Sequence, residues 1–325
     1  MQATTTNSEI TLINAEQFLG LKDGRYFASG YKNITCELFD YQFTDNKLIA
    51  SLKLDSGKNW SLKKGKAIDQ HLGSIESSLV AIRSLELFLV ANYNLTDEEI
   101  ANSRIRRIEF KTKPCHNSFS QQNDVEVTNI HSFWENVDSL IGRFEIMVRN
   151  FNFLIELNIN CNRFKSSEPP DGRFTKEKSN PAHYYNHGYM STSIDIENLL
   201  LNIEKRSVIA KSKISHSTEV FDVGLGTKNL QGLTFVEFLS IAGQLTQILL
   251  YKLENISREE SNNMWVRSLS ADFYSVNTNH QIEVTSKAYF TEFNLVKIKD
   301  DVWRTATAKF EIGNIQGSAK VCHII

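Results

Sequence analysis

Two hydrophobic periods alternate along this chain, and the alternation is written twice. LIASLKL, residues 48–54, alternates apolar and polar positions as a half-buried strand does. The period then lengthens: Ile75, Leu79, Ile82, Leu85 and Leu89 recur at three- and four-residue steps, which predicts a helix. Val236, Leu239, Ile241, Leu245, Ile248 and Leu249 do the same further on. Both segments are apolar around much of their girth, so both helices are expected to be enclosed rather than laid on a surface. After each helix the period of two returns. The first copy has RIRRIEFKTK, RFEIMVRN and NFLIELNIN; the second has MWVRSLSADF, QIEVTSKAYF, VWRTATAKFEI and GSAKVCHI.

The two copies match motif by motif. GRYFASGY and AHYYNHGY place Tyr26 and Tyr184, Gly30 and Gly188, and Tyr31 and Tyr189 at a spacing of 158 residues. LIASLKL and VIAKSKI follow at 160, the two helices and then IRRI and VRSL at 161, and VEVT and IEVT at 157. Between the copies lies RFKSSEPPDGRFTKEKSNP, which holds three of the four prolines and has no periodicity. It reads as a linker. The expected organisation is a first module over residues 1–162, a linker over 163–181 and a second module over 182–325. The expected fold is α+β, a tandem double hot-dog with two antiparallel sheets, each wrapped around a long central helix.

Composition narrows the function classes. The chain is 41% hydrophobic and 23% charged, enough to build a core. A net charge of -2 gives no electrostatic case for nucleic acid or an anionic membrane. No apolar run approaches the roughly 18 residues of a membrane span, and the N-terminus has neither the basic start nor the apolar stretch of a signal peptide. A cytoplasmic location is expected. Cys36, Cys115, Cys161 and Cys322 lie far apart, so neither a metal site nor a disulfide framework is expected. Phosphate-binding loops, dinucleotide fingerprints and nucleophile elbows are missing from the sequence.

Glu237 is the sharpest chemical signal. It falls in the first turns of the second helix, where the helix dipole favours an acid, yet its neighbours are apolar. Burial there raises a carboxyl pKa and suits it to general acid or base work. The segment from Gly232 to Glu237 resembles the helix start of hot-dog hydroxyacyl-ACP dehydratases. Those enzymes carry a histidine upstream, and FDVGLGTK has none, which disfavours a straightforward dehydratase. Glu76 holds the duplicate position, with His71 just before its helix as a candidate partner. Ser74 could cap that helix. Arg83 and Gln244, each seven residues after its glutamate, share its face and could orient the carboxylate or bind a carbonyl. Tyr26, Tyr31, Tyr184 and Tyr189 offer hydroxyls to a substrate, from segments read as strands with Gly30 and Gly188 as bulges. The simpler alternatives are a solvent-facing helix-start acid, a surface histidine and rings packed on a helix.

GRYFASGY, HLGSIE (His71 to Glu76) and SRIRRIEFK together resemble the AvrD family of bacterial avirulence-associated enzymes. Where that family more often has aspartate, this chain has Glu76. The resemblance implies an enzyme that joins a 3-oxoacyl chain, delivered as an acyl carrier protein or CoA thioester, to a ketopentose or other small polyol. The product would be a lipid elicitor of the syringolide kind. It also implies kinship with the A-factor synthases, duplicated hot-dog acyltransferases, and no cofactor beyond the thioester substrate. A homodimer is a further option. A thioesterase or dehydratase-like enzyme on the same fold, and a non-catalytic acyl-binding module, are the alternatives.

Overall fold

The computed structural model describes residues 9–44, 46–56, 62–63, 66–67, 71–113, 124–136, 138–161, 183–216, 223–229, 233–274 and 283–325. The proposed linker, Gly232 and Cys115 lie outside the described residues. The first copy runs β1 (Glu9–Asn14), α1 (Glu16–Leu19), β2 (Ile34–Thr44), β3 (Lys47–Ser56), the short pair β4 (Leu62–Lys63) and β5 (Lys66–Ala67), then α2 (Ser74–Tyr93) and α3 (Asp97–Ala101). It ends with β6 (Arg104–Thr112), β7 (Val125–Asn136), β8 (Ser139–Val148) and β9 (Phe151–Asn160). The second copy is β10 (Thr192–Asn202), β11 (Ser207–His216), α4 (Phe235–Glu254), β12 (Met264–Phe273), β13 (Glu283–Ile298), β14 (Asp301–Ile312) and β15 (Ile315–Ile324).

Antiparallel pairing dominates, as the alternating segments predict, but two separate sheets are not what forms. One 13-stranded sheet runs β1-β10-β11-β13-β14-β15-β12-β6-β9-β8-β7-β3-β2. Apart from β1, this order reads the same inward from either end, equivalent strand for equivalent strand. The two sets meet where β12 pairs β6, with Leu269 opposite Phe110 and Ala271 opposite Ile108. Left alone, β6 and β12 would each expose an edge of unpaired backbone groups; joining them satisfies both. The first strand crosses over, since β1 adds to the outer edge of the second set through β10. Even an irregularity is duplicated. The bulges in β2 and β10 put Asp40 and Asn198 at φ 54° and 53°.

The two long helices are buried on nearly every residue. α2 packs on β2, β3, β7 and β8, α4 on the equivalent β10, β11, β13 and β14, and the helices touch each other. Small polar residues survive inside because they bond within the helix. Ser77, Ser78 and Ser84 donate to the carbonyls of Gly73, Ser74 and Val80 at 2.6, 2.6 and 2.7 Å. Both helices end at an asparagine in the left-handed conformation, Asn94 and Asn255. Among the described residues no helix is long and apolar enough to cross a membrane.

Candidate functional site

GRYFASGY and, from His183 on, AHYYNHGY are compact turns, not strands. Each closes on itself, with Gly30 N–H donating to Arg25 O and Gly188 N–H to His183 O, and each ends in a short 3-10 turn. A strand would send neighbouring side chains to opposite faces. The turn instead delivers tyrosines to the start of a buried helix.

At the first helix Tyr26 donates its hydroxyl proton to Glu76 Oε2 at 2.6 Å and accepts from Ile75 N–H at 3.0 Å. The phenol thus does the capping expected of Ser74; the capping position itself is Gly73. A Cβ on Gly73 would stand 2.2 Å from Tyr26 Oη and 2.5 Å from Glu76 Oε2, so only glycine leaves room for the pair. Glu76 is 1% exposed. Burial pushes its carboxyl up to about 7, against the opposing hydrogen bonds from Tyr26 and backbone N–H groups. Its Oε1 is buried with no hydrogen-bond partner among the described residues. Burial and the adjacent carboxylate hold the Tyr26 phenol well above its ordinary range.

The second helix repeats the device with a different cap. Thr234 and Glu237 form a capping box, each bonding the other's backbone N–H, at 3.1 and 2.8 Å. Tyr184 Oη lies 2.9 Å from Thr234 Oγ1 and donates to Glu237 Oε1 at 3.2 Å. Burial raises the Glu237 carboxyl, opposed by its hydrogen bonds and by His216.

His216 is the residue that sequence reasoning missed. Its Nε2 stands 3.8 Å from Glu237 Oε1, and its Nδ1 is 3.0 Å from Thr192 Oγ1. Lys32, from the first copy, donates to the Thr192 carbonyl. A histidine thus approaches the glutamate from the end of β11, 21 residues before it, and not from FDVGLGTK. The signal was available: Val208, Ala210, Ser212 and Ile214 form the buried row of β11, and His216 continues that row. In the first copy Ser56 occupies the equivalent strand position, and Met190 stands where the repeat would place Lys32.

Other candidates join the two copies. Tyr31 and Tyr189 stack at 6.1 Å, and the Tyr189 hydroxyl reaches the Ile34 carbonyl at 3.5 Å. Gln244 and Ser240 on α4 donate to the Phe27 carbonyl, at 3.2 and 2.6 Å. The Phe27 ring lies where a Cβ on Gly243 would stand, 2.4 Å away. Conversely, Glu86 on α2 receives Leu225 N–H and faces His183 Nε2 at 3.0 Å. Arg83, buried as expected, donates to the Cys36 carbonyl at 2.8 Å. Both Arg83 and Gln244 thus reach backbone carbonyls that hold the opposing turn or strand.

Beside the start of α2 opens a cavity of about 540 Å³. Tyr26, Gly73, Ser74 and His71 form its helix side, with the His71 ring tilted against Trp265 at 5.5 Å. Phe151, Met264, Val266, Ile298 and Trp303 make much of the rest apolar. Lys113 and Arg267 are its cations, and no Asp or Glu is among the described residues that line it. Its walls come from both copies, across the β6–β12 seam. Glu76 lies one layer back, behind Tyr26.

No curated protein matches the sequence. Among solved structures the chain is similar to an acyl-CoA thioesterase II, TesB2, from Mycobacterium marinum, at 9% identity over 88% of this chain and 95% of that one, TM-score 0.41. It is similar also to a tesB protein from Mycobacterium avium subs paratuberculosis, at 7% identity over 87% and 95%, TM-score 0.40. A third is the dehydratase domain from the CurJ module of the curacin polyketide synthase, at 10% identity over 77% and 82%, TM-score 0.33. The model of the family described as Pseudomonas avirulence D protein (AvrD) matches residues 12–325, from β1 through the last strand, and the chain belongs to that family.

Proposed function

We propose that the chain is an enzyme acting on acyl thioesters, and that it joins a 3-oxoacyl group, carried on acyl carrier protein or CoA, to a small polyol or ketose such as a pentulose. The observation that carries this reading is the hydrogen-bonded Tyr26–Glu76 pair at the head of the cavity. An apolar chamber of this size suits an acyl chain. Lys113 and Arg267 suit the phosphate of the carrier arm.

In this reading the acceptor hydroxyl gives its proton to the Tyr26 oxygen while Tyr26 passes its own to Glu76. The acceptor oxygen bonds to the thioester carbonyl carbon. The oxyanion is held at the positive start of α2. The carbon–sulfur bond then breaks, and the thiolate takes back the proton through Tyr26. A carboxyl titrating near 7 can both accept and return a proton at neutral pH. The phenol is never left ionised, which its raised pKa would oppose. His71, in the same wall, is a second group able to carry that proton, and Gln244 and Arg83 hold the framework.

Mass analysis of the products from a 3-oxoacyl-CoA and a pentulose tests this. An acyl ester of the pentulose is expected. Free 3-oxo acid as the only product would make the chain a thioesterase, and unchanged thioester would overturn the reading.

A further inference from the structure

We propose that Arg25 anchors a binding site for a small planar carboxylate, of formate size, behind the turn that carries Tyr26. The site shares no lining residue with the acyl cavity and does not depend on reading the chain as an acyl-thioester enzyme.

Arg25 is 2% exposed. Its Nε donates to the Leu21 carbonyl at 3.0 Å, while Nη1 and Nη2 are buried with no hydrogen-bond partner among the described residues. Burial lowers the guanidinium pKa to about 10, with Glu16 opposing and Arg258 adding to the shift, so the group is still charged at neutral pH. A buried charge without a partner is expensive. A guanidinium with both outer nitrogens unfilled presents the fork that a carboxylate occupies with its two oxygens.

The duplication shows what is missing. His183 precedes Tyr184 as Arg25 precedes Tyr26, and the Glu86 carboxylate lies 3.0 Å from His183 Nε2. Glu86 stands ten residues after Glu76 on α2; ten residues after Glu237 on α4 stands Gln247. A base is kept in both turns and the helix acid in only one. Arg25 is therefore left without the carboxylate that its counterpart has.

Arg25 also lines a cavity of about 50 Å³, bounded by β1, α1, β10 and α4. Three acids stand in its wall. Asp195 pairs with Lys22, and Glu197 with Lys213 at 2.7 Å. The third, Glu16, attracts Arg25 without bonding it. That uncompensated acid disfavours a dianion such as phosphate. The volume holds only a few water-sized bodies, so a one-carbon carboxylate fits and an acyl chain does not. Gln244, in the same wall, donates to the Phe27 carbonyl, so an occupied cavity steadies the turn that presents Tyr26.

Thermal melting of the full chain in sodium formate and, at equal ionic strength, in sodium chloride tests the site, since chloride lacks the planar pair of oxygens. Formate at about ten times its Kd is expected to raise the melting temperature by about 2 °C or more above chloride. In Arg25→Gln that difference should vanish. Gln247→Glu supplies a carboxylate from α4 as Glu86 does from α2; it should melt higher than the unaltered chain in chloride and lose most of the formate response. Equal melting of the unaltered chain in the two salts would overturn the proposal. So would an undiminished formate response in Arg25→Gln or, should that variant not fold, in Gln247→Glu. No acyl thioester enters these measurements, so the failure of this site and the failure of acyl transfer are read separately.

Discussion

Tyr31 and Tyr189 stack on each other at 6.1 Å with 23° between their planes, each from the same position of a repeated eight-residue turn. Both rings are buried, and each carries its turn against the other copy. Tyr31 feels the charge of Glu237 more than that of Glu76, so the first copy's turn reaches the second copy's site.

That stack gives a stability prediction. Tyr31→Ala or Tyr189→Ala should each cost about 3–5 kcal/mol, the range for removing a buried ring. The double mutant should fall short of the sum by about 0.5–1.5 kcal/mol, since the ring pair is lost only once. Urea unfolding of the four proteins checks this; strict additivity would mean the rings do not interact.

The two helix starts should respond unequally to small changes. Gly73→Ala places a methyl on Tyr26 Oη and is expected to destabilise by about 1–3 kcal/mol, as overpacking does. Thr234→Gly should cost less, because glycine is a fair cap and Tyr184 keeps its bond to Glu237. Thermal melting of both variants decides it, and an equal or reversed order would show that Gly73 is not holding space for the pair.

Glu76 makes stability depend on pH. Its folded pKa of about 7 lies above the ordinary 4.5, so the folded state holds the proton longer. Its contribution is fully present below pH 4.5 and is lost as pH rises through 7, a change of about 3 kcal/mol. Glu76→Gln lacks this loss. The stability of the glutamine variant relative to the unaltered chain should therefore rise by about 3 kcal/mol between pH 4 and pH 8. Parallel pH profiles in urea would contradict the burial of a titrating carboxyl.

Lys113 and Arg267 line the same cavity, beside the seam where Thr112 Oγ1 donates to the carbonyls of Val266 and Arg267, at 3.0 and 3.4 Å. Reversing both charges should raise KM for a CoA-borne substrate by about tenfold, or about 1.4 kcal/mol, and the effect should shrink in salt. An unchanged KM would remove the carrier phosphate from this rim.

Much of the architecture was readable because a duplicated sequence repeats its errors as well as its pattern. Leu79 and Leu239 sit in helices whose period was plain, and the two glutamates fell at helix starts by the same spacing. The single sheet was not readable, since nothing in IRRI or VRSL says whether a strand edge will be covered by a neighbour or by its own copy. His216 is not legible in the loop before the helix, since the sheet brings β11 to the helix start from further back. Tyr26 as a cap was equally hidden: its role depends on Gly73 having no side chain, a relation across 47 residues that no local pattern carries.

The most direct measurement is the rate at which the chain and its Glu76→Gln and Tyr26→Phe variants transfer a 3-oxoacyl group from CoA to a pentulose. Both substitutions break the relay at the head of the cavity, and each should lower the rate by about 10²-fold or more. Transfer at the unaltered rate in both variants would contradict the role assigned to this pair.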